Sequence, residues 1–114
     1  MTRTFISTNT FLKRWADLGL IDDDLRELEN YILLNPFAGD VIVGTGGLKK
    51  LRWALPNTSK RDGIRVLTVD FVFYETAIFI NCYGKSEQDN ISDKEKALYK
   101  NFIKDIEKEL RGKS

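Results

Sequence analysis

Histidine is absent from this 114-residue chain, and cysteine occurs once, at Cys82. The first absence removes the imidazole that most often serves as general acid or base. The second excludes an internal disulfide, and together they exclude the Cys/His donor sets of a zinc site. A lone thiol suits a reducing, cytoplasmic setting. Long hydrophobic runs are missing too: no stretch approaches the ~20 apolar residues that cross a bilayer, and the polar opening Met1-Thr2-Arg3-Thr4 is unlike a signal peptide. No membrane association is expected. Proline is scarce, with two residues, and the eight glycines fill no segment, so disorder is expected only in the last few residues. Nor is there an excess of charge: the formal net charge is +1, against histone-like coating of nucleic acid.

What is present fits one domain over residues 1–114, long enough to bury a core without disulfides or a structural metal. The charges are unevenly placed. Before Gly47 the acids Asp17, Asp22, Asp23, Asp24, Glu27, Glu29 and Asp40 outnumber Arg3, Lys13, Arg14 and Arg26. Across residues 48–65 the bases Lys49, Lys50, Arg52, Lys60, Arg61 and Arg65 face only Asp62. A basic patch inside a nearly neutral chain indicates a local anionic ligand.

Hydrophobic spacing orders the chain. Residues 4–7 read as a short strand, and Ser7 to Thr10 offer caps for a helix through Phe11, Leu12 and Trp15 that Gly19 ends. Asp22 to Asp24 favour a second helix start, with Ile21, Leu25, Leu28 and Ile32 as one stripe and Asn35-Pro36 as the stop. Residues 37–47 read as a loop that Val41, Ile42 and Val43 pin to the core. Three antiparallel strands follow at 48–54, 64–73 and 77–83, joined by a long loop at 55–63 and a tight connection at Tyr74-Glu75-Thr76. Ser92 and Glu95 form a capping box for a long helix with Leu98, Tyr99, Phe102, Ile103, Ile106 and Leu110 at helical spacing. No internal repeat occurs. The result is an α+β domain: a small antiparallel sheet packed with two N-terminal helices and a C-terminal helix.

In Leu48-Lys49-Lys50-Leu51-Arg52-Trp53, alternation sends Lys50 and Arg52 to one face and Leu51 and Trp53 to the other. Antiparallel pairing would bring Arg65 close to the two cations, where a phosphate could be clamped. Solvated strand positions or an edge guarded by charge fit the same spacing. Without histidine, RNA cleavage would have to use lysine, arginine, tyrosine or the substrate itself. Crowded cations disfavour one another's charge, which would help Lys50 act as a base, while arginine stays charged and forks onto phosphate oxygens. Arg65, at a strand start, is expected to add little to the core. Tyr83-Gly84-Lys85 forms a second group, in which Tyr83 could stack on a base and Lys85 contact phosphate, or the two could be a strand-end core residue and a solvated charge. Gly44-Thr45-Gly46-Gly47 lacks Walker spacing and precedes a strand, against nucleotide binding. Asp22-Asp23-Asp24 is explained by the helix dipole rather than a metal.

The order Asn35-Pro36, Gly39-Asp40-Val41-Ile42, Gly44-Thr45-Gly46-Gly47-Leu48-Lys49-Lys50-Leu51-Arg52, Ser59-Lys60-Arg61-Asp62-Gly63, Ile64-Arg65-Val66 and Tyr83-Gly84-Lys85-Ser86-Glu87 resembles the RelE/HigB toxins of type II toxin-antitoxin systems, and the HigB-like branch in particular. The resemblance implies a RelE-like fold and a metal-independent, cofactor-free endoribonuclease that enters the ribosomal A site and cuts messenger RNA through 2′-hydroxyl attack on the adjacent phosphate. It implies a cognate antitoxin as partner, and contact with DNA only indirectly, through the antitoxin complex. By motif position Lys50, Arg52, Arg65, Tyr83 and Lys85 correspond to catalytic residues, with Lys49, Lys60 and Arg61 contacting RNA. Ser86 departs from the basic residue frequent in RelE, and no tyrosine opens the last helix. ParE-like toxins share the fold but inhibit gyrase, and an inactive RNA- or antitoxin-binding module is a further alternative, so fold alone does not decide between them.

Overall fold

The computed structural model describes residues 2–54, 63–84 and 90–113. In chain order the elements are β1 (Thr4–Ser7), α1 (Asn9–Asp17), α2 (Asp22–Leu34), β2 (Asp40–Val41), β3 (Lys49–Trp53), β4 (Ile64–Phe71), a 3₁₀ turn (Val72–Tyr74), β5 (Thr76–Gly84) and α3 (Asp93–Gly112). The fold is α+β as the spacing predicts, but the sheet has five strands in the order β1-β5-β4-β3-β2. It is mixed, because β1 runs parallel to β5 while the other pairs are antiparallel.

Two apolar layers sandwich the sheet. On one face Phe11 and Trp15 of α1 and Leu28 of α2 pack on Leu51, Ile64, Val66, Phe79 and Cys82. On the other, Ile103 of α3 joins Leu67, Val69, Ile78, Ile80 and Tyr83, with Tyr99, Ile106 and Leu110 partly buried alongside. Alternation along β4 divides its side chains between these layers, which is why nearly the whole strand is buried.

Local chemistry sets the helix starts. The Thr8 hydroxyl accepts from the Phe11 amide at 3.1 Å, capping α1. Ser92 and Glu95 form the expected reciprocal cap of α3. Ile21 is no part of the α2 stripe: it precedes the helix, is 61% exposed, and its amide donates to Asp24 Oδ2 at 2.9 Å. Leu98 also leaves its expected stripe, at 62% exposed.

The segment expected as a loop contains β2, paired with β3. Val41 and Val43 do not pin it, being 59% and 85% exposed; Ile42 packs on the core and Thr45 is fully buried. Thr45 Oγ1 donates to the Ile42 carbonyl at 2.6 Å and accepts from the Leu48 amide at 3.0 Å. The glycine-rich segment is thus a turn built around one buried hydroxyl, feeding the chain into β3. At the β4–β5 hairpin, Glu75 occupies the left-handed region with φ 49° after the 3₁₀ turn. Arg3 ties β1 to β4 through Asp70, with Nε–Oδ1 2.8 Å and Nη2–Oδ2 3.2 Å, and hydrogen bonding to Asp70 raises the pKa of Arg3 above its ordinary value.

Candidate active site

Strand register brings three of the expected residues into one row. Arg52 of β3 stands opposite Arg65 of β4, and Arg65 stands opposite Tyr83 of β5. Directly opposed residues share a face, and Tyr83 belongs to the α3-side layer. Arg52, Arg65 and Tyr83 therefore line the α3 side of the sheet, at the end of β4 and β5 away from the hairpin. Lys50 lies on the same face one row along, opposite Leu67, with Asp40 of β2 opposite it on the other side. Asp40, read in the sequence as a loop residue, adds a carboxylate to this face.

A β-bulge makes the row possible. Leu67 opposes Asn81, whereas the next residue, Thr68, opposes Phe79, so β5 carries Ile80 as an extra residue. Counted by simple alternation from Ile78 on the α3 side, Tyr83 would fall on the opposite face, with Phe79. The inserted residue reverses that parity and delivers Tyr83 to the face of Arg65.

Arg65 is not the core-neutral position expected of a strand start. It is 4% exposed, beside Ile64 and Val66, which are fully buried. Its Nη1 is buried with no hydrogen-bond partner among the described residues. A buried donor left unsatisfied costs about 1–3 kcal/mol, and more when charged. Arg52, by contrast, is exposed, and two like charges directly opposed across strands destabilise each other. Among the described residues neither Arg52 nor Arg65 forms an ion pair. An anion seated between the guanidinium groups would satisfy the buried donor and relieve the repulsion together.

Lys49 projects from the opposite face by alternation, half-buried, opposite Thr68. Lys60, Arg61 and Lys85 lie outside the described residues. Among the described residues no group of three Cys, Asp or Glu side chains gathers to hold a metal, and no helix is long and apolar enough to cross a membrane.

A family model for the RelE toxin of the RelE/RelB toxin-antitoxin system matches residues 3–112. The chain belongs to the RelE toxin family. A toxin role, with an antitoxin as its protein partner, follows from that membership. The matched span includes every strand and helix described above, so the row of Arg52, Arg65 and Tyr83 sits within the family's shared domain.

Proposed function

We propose that this RelE-family toxin is a metal-independent, ribosome-dependent messenger-RNA endonuclease of the HigB-like branch, acting in the cytoplasm and silenced by its antitoxin. The observation that carries this reading is the buried, unsatisfied Nη1 of Arg65, flanked by the like charge of Arg52. Donors fixed before the reaction and aimed where negative charge develops are the largest single source of stabilisation in such chemistry.

The substrate's 2′-hydroxyl attacks the neighbouring phosphorus, and the bond from phosphorus to O5′ breaks, leaving a 2′,3′-cyclic phosphate and a 5′-hydroxyl. Arg65 and Arg52 hold the phosphorane oxygens. The proton leaving the 2′-hydroxyl passes to one of Lys50 and Lys85 acting as the neutral amine, and the departing O5′ takes one from the ammonium of the other. Tyr83, opposite Arg65 and only 3% exposed, supports the arginine from within the α3-side layer, while Lys60 and Arg61 contact phosphates outside the reacting group. The metal-independent reading rests on the donor set, since the chain has no histidine and a single, buried thiol. Entropy is the ribosome's contribution: holding messenger RNA in attack geometry can lower the barrier by roughly 7–11 kcal/mol.

A short pulse of expression followed by primer extension on cellular transcripts tests the reading. Cuts at codon-spaced positions within translated regions are expected, and cleavage by purified toxin on ribosomes is expected to persist in excess chelator once ribosome integrity is controlled. DNA damage without transcript cleavage would replace the reading with gyrase inhibition. Rescue of chelated reactions by one added metal would overturn the metal-independent chemistry.

A further inference from the structure

Among the described residues, no strand pairs with the outer side of the part of β5 that carries Tyr83. β1 pairs with β5 from Thr4 and Thr76 as far as Ser7 and Phe79, and the chain then turns into α1. Side chains replace the missing strand. Thr8 Oγ1 donates to the Ile80 carbonyl at 2.8 Å and Arg14 Nε to the Cys82 carbonyl at 3.3 Å. The Cys82 amide in turn donates to Asn81 Oδ1 at 2.9 Å, and Asn81 Nδ2 donates to the Tyr99 hydroxyl of α3 at 3.2 Å. The backbone groups of Cys82 are thereby held by α1 on one side of the sheet and, through Asn81, by α3 on the other.

These bonds fall on the bulge and the residue after it, where parity is set. A strand end that pairs with a strand on one side and carries an extra residue can slip by one position, and a one-residue slip sends every side chain beyond it to the other face. We propose that Arg14 and Asn81 are positioning residues for the cleavage reaction, locking β5 in the bulged register that holds Tyr83 opposite Arg65. Arg14 lies in α1, far in sequence from the basic patch. Asn81 lies within a strand whose neighbours are apolar. Neither carries a motif that would single it out.

The functional half of this inference rests on the endonuclease reading, so its test has two arms. Amide hydrogen exchange of the intact toxin is measured for wild type, Arg14→Met, Arg14→Lys and Asn81→Leu. Turnover and KM are measured on ribosomes programmed with one messenger RNA. In the Met and Leu variants, exchange at Cys82 and Tyr83 is expected to quicken while residues 77–79, paired with β1, stay protected. Turnover should fall on the order of 10–100-fold with KM unchanged, as a small misplacement of a reacting group would produce. Arg14→Lys, which keeps a donor, should recover most of both losses. Unchanged exchange at Cys82 and Tyr83, or a rise in KM with turnover intact, would overturn the assignment. If wild type does not cleave, the endonuclease reading fails and the exchange arm alone decides whether Arg14 and Asn81 set the register.

Discussion

Arg52 and Arg65 stand directly opposite each other on neighbouring antiparallel strands, one exposed and the other buried. An arrangement of two cations without a carboxylate between them weakens a sheet, so its benefit must be sought in what it binds. Arg65→Met should remove the buried charge while keeping most of the volume. Replacing a buried charge by a well-packed apolar side chain is often neutral or stabilising, so thermal stability should hold or rise while growth inhibition is lost. Arg65→Lys should stay folded and lose turnover by about 10²–10³-fold, the effect of removing one fixed donor to a developing oxyanion. Full toxicity in either variant, or a loss of several kcal/mol of stability in Arg65→Met, would mean that the arginine serves the fold instead.

The Thr45 hydroxyl bridges two backbone groups in a fully buried turn. Thr45→Val keeps the shape and leaves the Ile42 carbonyl and the Leu48 amide without that partner, which should cost about 1–3 kcal/mol. Thr45→Ser keeps both bonds and should cost less. Denaturant unfolding of the three proteins gives the comparison, and equal stability of Val and Ser variants would show that the hydroxyl is unimportant.

Glu29 on α2 has its carboxyl pKa raised, chiefly by desolvation on partial burial, with Arg26 opposing the shift. A carboxyl with a raised folded-state pKa binds its proton more tightly in the folded protein. Its favourable contribution is full below the unfolded-state value and is lost as pH rises through the folded-state value. Glu29→Gln should therefore be slightly more stable than wild type at neutral pH, by less than about 0.5 kcal/mol. The difference should vanish as pH falls through the carboxylate range. A difference that grows toward acid pH would reverse the assigned sign.

Much of this architecture is legible in the sequence because local rules dominate where they are strongest. The capping box at Ser92 and Glu95, the helical spacing of Tyr99, Ile103, Ile106 and Leu110, and the alternation that puts Lys50 with Arg52 are each settled within a few residues. Other features depend on contacts that no local pattern encodes. Val41 and Val43 are apolar and β-branched but sit, largely exposed, in or beside a two-residue edge strand. Arg65 is the one basic residue of β4, and only the packing of both layers makes it buried. The Tyr83 position depends on an insertion at Ile80 that period-two counting cannot detect, because Ile80 continues the apolar run around it. Arg14 and Asn81 enter the account only once the sheet is assembled.

The phosphate site proposed at Arg52 and Arg65, backed by Tyr83, would realise its catalytic power on the ribosome. Its most direct test is the single-turnover cleavage rate of one messenger RNA, free and bound to translating ribosomes, at matched salt and saturating toxin. The row supplies only a few phosphate contacts and the chain has no imidazole pair, so free RNA should be cut slowly or not at all, while the ribosome-bound transcript is cut efficiently in an Arg65-dependent manner. Equal rates on free and ribosome-bound RNA, or ribosomal cleavage indifferent to Arg65→Lys, would contradict it.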